Sequence, residues 1–127
     1  MEIPAGLYDR ASESPEETMR REAREETGLE VSRLDRLGSI LTSPGFSDER
    51  VDLFLAWSES PIRPDARAER ELEVLTMEPG EALRAVTDGT IEDAKTAVAL
   101  LIAAARLGWE ASPGPGGRSR THHPGPL

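Results

Sequence analysis

The stretch Glu13-Ser-Pro-Glu-Glu-Thr-Met-Arg-Arg-Glu-Ala-Arg-Glu-Glu-Thr-Gly-Leu29 constrains this chain more than any other, because it carries a full set of helix signals. Ser14 can cap the free amides of a first turn, Pro15 suits the first helical position, and Glu17 closes a capping box. Glu16 and Glu17 also sit near the positive end of the helix dipole. Gly28 supplies the stop, since it can take the left-handed conformation that ends many helices. The pattern predicts a helix over residues 14–27.

Within that helix Glu22, Glu25 and Glu26 are spaced i, i+3, i+4 and share a face. Arg20 and Arg24 project to the opposite side, and Met19 and Ala23 form a thin apolar stripe for packing on a sheet. Crowding like charges is unfavourable: two carboxylates ~4 Å apart repel by about 4 kcal/mol at an effective dielectric near 20. A hard divalent cation reverses that sign, because it takes oxygen ligands and tolerates retained waters. Taken alone, an acidic and basic helix of this kind is more often a solvated face, with Arg21–Glu25 an ordinary i,i+4 pair.

The wider pattern resembles the Nudix box. That box reads Gly, five residues, Glu, seven residues, Arg-Glu, an apolar residue, any residue, Glu-Glu, any residue, Gly and an apolar residue. Glu13, Arg21-Glu22, Ala23, Glu25-Glu26, Gly28 and Leu29 fall in register with it. Gly6 departs by one position, lying six residues before Glu13, a change that a loop tolerates. So many fixed positions make the match far more specific than a lone short motif. Glu2-Ile-Pro-Ala-Gly6 resembles the lead-in to the box in the branch that cleaves ADP-ribose and related nucleoside-diphosphate sugars. Ser43-Pro-Gly-Phe-Ser-Asp-Glu49 is similar to that branch's substrate loop, although Ser-Pro-Gly read alone is only a turn between strands. The resemblance runs from Glu2 to about Leu107.

This resemblance implies an α+β fold, the Nudix α/β/α sandwich, over residues 1–108. It also implies strands ahead of Glu2, so the chain is expected to be an N-terminally truncated form whose sandwich is incomplete. The implied cofactor is Mg²⁺, with Mn²⁺ as a substitute. Glu22 and Glu26 would be the main metal ligands, Glu25 a third ligand or the group that orients the water, and the Ala5 carbonyl would complete a metal shell. Glu13 and Arg21 would form a buried pair fixing the helix to its loop, with Gly6 and Gly28 shaping the same site. The general base would be a loop glutamate, Glu69 ahead of Glu71. Ser43, Phe46 and Glu49 would contact substrate, with packing an equal reading for Phe46 and a solvated charge an equal reading for either loop glutamate. The implied reaction is ADP-ribose plus water giving AMP and ribose 5-phosphate. Two alternatives stand beside it: a non-catalytic fragment of the same family, and hydrolysis of another nucleoside diphosphate such as a dinucleotide. The full-length protein is expected to be a homodimer.

Composition sets limits on partners. The 127 residues suit one domain with a modest core. A formal charge of −9 argues against a nucleic acid partner, while bound metal would still admit a small diphosphate. The absence of cysteine rules out disulfides and fits a reducing cytoplasm. The apolar run Ala97 to Ala105 falls well short of the roughly 20 residues a bilayer span needs, so no membrane association is expected. Leu34 to Leu41 reads as a strand broken near Gly38, Val51 to Trp57 as the clearest strand, and Leu72 to Met77 as another. Met1 to Gly6 reads as a strand end and turn. Helices are expected over Pro79 to Val86 and Glu92 to Leu107, and a mobile loop over Ser58 to Arg70. Residues 109–127 are rich in Pro, Gly and Ser and read as a disordered tail that includes His122-His123.

Overall fold

The computed structural model of the chain describes residues 1–7, 12–61 and 73–114. Five elements follow in order: α1 (Pro15–Thr27), β1 (Arg33–Leu41), β2 (Arg50–Trp57), α2 (Pro79–Thr87) and α3 (Ala94–Leu107). The α+β class expected from the sequence is what forms. Expectations that fall on Glu69, Glu71 and His122-His123 lie outside the described residues.

β1 and β2 pair as an antiparallel two-stranded sheet, from Arg33 opposite Trp57 to Leu41 opposite Arg50. The register slips between Arg36 and Gly38, the position at which the sequence reading breaks the strand. The slip leaves Leu37 as the extra residue of a bulge, and its side chain is buried. Arg106, from the last turn of α3, donates Nη1 to the Arg36 carbonyl and Nη2 to the Leu37 carbonyl, both at 2.9 Å. The helix end thereby satisfies backbone acceptors at the bulge.

α3 lies across both strands. Leu37 and Leu53 from the sheet meet Ala99 and Ala103 from the helix, and Ile3, Ile40, Val51, Leu55, Val98, Ile102 and Trp109 pack around them. The alanines let the helix approach the sheet closely. α2 packs on α3. Among the described residues no helix is long and apolar enough to cross a membrane.

Three expectations differ from what forms. Residues 73–78 take no strand conformation, and Leu75 and Met77 are exposed. A strand needs a ladder partner, and among the described residues the sheet contains β1 and β2 alone. Residues 1–7 are likewise irregular rather than a strand end. Residues 109–113 are docked rather than disordered: Trp109 joins the core cluster, Ser112 N donates to the Gly80 carbonyl at 2.8 Å, and Arg84 donates to the Pro113 carbonyl at 3.3 Å.

Candidate active site on the α1 carboxylate face

α1 forms for local reasons. Ser14 Oγ accepts from Glu17 N at 3.2 Å, and Glu17 Oε2 accepts from Ser14 N at 2.7 Å, closing the capping box. At the other end Gly28 is left-handed, with φ 71°, and its N–H donates to the Arg24 carbonyl at 2.9 Å. The helix buries Thr18, Ala23 and Thr27, and Thr18 lies one turn ahead of Glu22 on the face that also bears Glu25.

Arg21 organises that face. Its Nε donates to Glu13 Oε1 at 3.1 Å, and its Nη2 donates to Glu13 Oε2 at 3.2 Å, a fork that matches the planar carboxylate. Thr18 Oγ1 adds a hydrogen bond to Glu13 Oε2 at 3.1 Å. The side chains of Arg21 and Glu13 are only 17% and 16% exposed. Nη1 of the same guanidinium donates to Glu22 Oε1 at 2.8 Å and to Glu25 Oε2 at 3.2 Å. The Glu13 carboxylate, and Glu22 after it, hold the Arg21 guanidinium protonated more firmly than usual, against the opposing pull of burial.

The N-terminal segment closes over this face. Ala5 N donates to Glu26 Oε2 at 3.2 Å. The Gly6 backbone lies so near Glu22 that a Cβ built there would overlap the Glu22 Cγ, Cδ and Oε1 atoms. Gly6 therefore serves close approach, one of the uses that only glycine permits.

The donors suit a hard divalent cation in kind: carboxylates and backbone oxygen, with no sulfur. A cationic nitrogen, Arg21 Nη1, already bridges Glu22 and Glu25. Among the described residues no three acidic or imidazole side chains converge closely enough to hold an ion as they stand. Loading would require Glu22 and Glu25 to exchange Arg21 for the ion.

The expected substrate loop links β1 to β2. It turns at Ser43, whose carbonyl accepts from Phe46 N at 3.1 Å and from Ser47 N at 2.9 Å. Glu49 Oε1 accepts from Thr42 Oγ1 at 2.6 Å and closes the base of the loop. Phe46 is 90% exposed. A cavity of about 330 Å³ lies between the N-terminal segment, α1, β2 and α3, and Ala5, Gly6 and Glu49 are among the residues that line it. Its walls are largely apolar and do not include Glu22, Glu25 or Glu26.

The first turn of α3 adds a cluster that the sequence analysis above does not include. Asp93 caps it, accepting from Thr96 N at 2.8 Å, and Asp93 Oδ1 accepts from Lys95 Nζ at 2.7 Å. Burial pushes the Asp93 carboxyl up, but bonds from Lys95 and Thr96 outweigh it and leave it below the usual range. The Asp93 carboxylate in turn raises the Lys95 ammonium, with smaller help from Glu2 and Glu49. An Asp three residues before Thr, ahead of an apolar run, was the available signal.

The chain is similar to known proteins. A family profile described as the NUDIX domain matches residues 1–101. The chain belongs to that family. It is 38% identical over 102 residues to a protein of Bacillus subtilis (strain 168) named ADP-ribose pyrophosphatase, covering 79% of this chain and 55% of that one. It is 44% identical over 92 residues to a protein of the same name from Mycobacterium tuberculosis (strain ATCC 25618 / H37Rv), covering 71% and 44%. It is also 39% identical over 103 residues to a GDP-mannose pyrophosphatase of Cronobacter sakazakii (strain ATCC BAA-894), covering 79% and 53%. The chain spans about half the length of these curated relatives.

Proposed function

We propose that this chain carries the metal-binding half of a pyrophosphatase that hydrolyses the diphosphate of ADP-ribose, or of a related nucleoside-diphosphate sugar, to AMP and ribose 5-phosphate or their equivalents. The observation that carries this reading is the arrangement around Arg21. One guanidinium gathers Glu13, Glu22 and Glu25, and the Ala5 amide seats the N-terminal segment on Glu26. Glu13, Arg21, Glu22, Glu25 and Glu26 are in register with the Nudix box, and the relatives named ADP-ribose pyrophosphatase and GDP-mannose pyrophosphatase support a sugar nucleotide as the class of substrate.

Glu22 and Glu26, with Glu25 and the Ala5 carbonyl, would hold Mg²⁺ or Mn²⁺. Bound there, a divalent ion would neutralise phosphoryl charge and make a water more acidic. The Glu13–Arg21 fork keeps the helix registered against the segment before it. Glu25, the most exposed of the three glutamates in the Arg21 group, would orient the water, and Glu69 or Glu71 would accept its proton. Ser43, Phe46 and Glu49 would contact the sugar end of the substrate. The exposed Phe46 ring offers an apolar face to a ribose or base at little entropic cost, having only two side-chain torsions. A homodimer in the cytoplasm accompanies this reading.

Nucleotide release from ADP-ribose and from GDP-mannose, with Mg²⁺ or Mn²⁺ and with Glu26→Gln as control, tests it. AMP release that Glu26→Gln abolishes supports the assignment. Release that survives Glu26→Gln sinks the metal ligands. A folded chain that binds Mn²⁺ and releases neither nucleotide favours the non-catalytic reading, and release of GMP alone moves the substrate to GDP-mannose.

A further inference from the structure

Ile3 and Ala5 tie the N-terminal segment to two different helices. Ala5 N reaches Glu26 Oε2 on α1. Ile3 N reaches Thr96 Oγ1 on α3 at 3.0 Å, across 93 positions of sequence. Thr96 is 3% exposed. Its hydroxyl donates to Asp93 Oδ2 at 2.7 Å, the same carboxylate oxygen that accepts the Thr96 amide. A hydroxyl has one proton, so once that proton goes to Asp93 only its lone pairs remain for Ile3. The order of control is therefore fixed: Asp93 sets the Thr96 hydroxyl, and the hydroxyl sets the Ile3 amide. Lys95 steadies the other oxygen of Asp93.

The consequence travels along the segment. Ile3 packs on the core, Ala5 meets Glu26 two residues later, and Gly6 abuts Glu22 one residue beyond that. Extended chain advances only ~3.3–3.6 Å per residue, so a slip at Ile3 reaches both glutamates. The geometry points to Thr96, oriented by Asp93, as a positioning residue for the α1 carboxylate face: it sets how deeply Ala5 and Gly6 seat against Glu26 and Glu22. This rests on the metal-binding reading of that face.

The test uses the full 127-residue chain with Thr96→Val, which keeps the shape and removes the hydroxyl, and Thr96→Ser, which restores it. Two quantities are read under conditions where each variant is folded: amide exchange at Ala5 without metal, and Mn²⁺ affinity by electron paramagnetic resonance titration. In Thr96→Val, Ala5 exchange rises and Mn²⁺ affinity falls, the latter by roughly tenfold, as for loss of an outer partner of a metal ligand. Thr96→Ser, which keeps the hydroxyl, returns both toward wild type. Unchanged Ala5 exchange in Thr96→Val overturns the proposal whatever the metal does. Faster exchange with unaltered Mn²⁺ affinity overturns it too, provided Glu26→Gln weakens Mn²⁺ binding. If Glu26→Gln leaves Mn²⁺ affinity at the wild-type value, the metal-binding reading is what fails, and Ala5 exchange still decides the positioning claim. Should Thr96→Val not fold, Asp93→Asn keeps an acceptor for the Thr96 amide and loosens the hydroxyl. It is read in the same two ways and is expected to move both quantities in the same direction.

Discussion

At the scale of single residues, Gly6 and Phe46 separate positioning from stability. Alanine at residue 6 puts a Cβ into the Glu22 side chain. Glu22 is flexible and can swing aside, so the fold tolerates the change while the carboxylate leaves its place. Gly6→Ala is therefore expected to leave the melting temperature nearly unchanged and to weaken Mn²⁺ binding by roughly tenfold, the size of an outer-shell loss, as calorimetric titration would show. Phe46 is the converse case of a large apolar side chain with almost no contact to lose. Phe46→Ala should change stability by no more than about 0.5 kcal/mol in urea melts, while raising KM for a sugar nucleotide more than it lowers kcat. A fall in stability with unchanged KM would remove Phe46 from the substrate end.

At the scale of elements, caps and locks carry the weight. The folded Asp93 carboxyl lies below its ordinary value. Such a group stabilises the fold above its unfolded value of about 3.9 and loses that contribution as pH falls through the folded value. The stability gap between the native chain and Asp93→Ala, about 1 kcal/mol at neutral pH for a lost N-cap, should persist down to pH 5 and close below about pH 4. Urea melts across that range check it. Arg106→Met keeps the aliphatic stem and removes both bonds to the bulge, and about 1 kcal/mol of stability should go with them. These elements also show what a sequence can reveal. The capping box, the stop at Gly28 and the break near Gly38 were legible because each depends on neighbours in the chain. The Arg21 hub was half legible: its i,i+4 partner Glu25 follows from helix geometry, and its pairing with Glu13 came through the family resemblance. The Arg106 lock, the Thr96 bond to Ile3 and the docking of residues 109–113 join positions tens of residues apart, and no local pattern encodes them. The strand expected over 72–77 does not form in its described part, residues 73–77, for the same reason, since ladder pairing is settled by a partner elsewhere.

At the scale of the whole molecule, charge dominates. A net charge of −9 favours cation uptake generally, so a metal effect has meaning only as a difference between variants. An ion that binds only the folded state at a hundred times its Kd stabilises by about 2.7 kcal/mol. Mg²⁺ should thus raise the melting temperature of the native chain by several degrees more than that of Glu26→Gln, and equal rises would mark the effect as screening alone. The chain has two tryptophans, and the fold gives them different surroundings. Trp57 ends β2 with the Arg33 guanidinium 4.1 Å from its ring centroid, whereas Trp109 sits against the core just beyond α3. A guanidinium over one indole and core hydrocarbon against the other should give the two rings distinct emission, so replacing either with Phe turns the remaining ring into an optical gauge of its own surroundings.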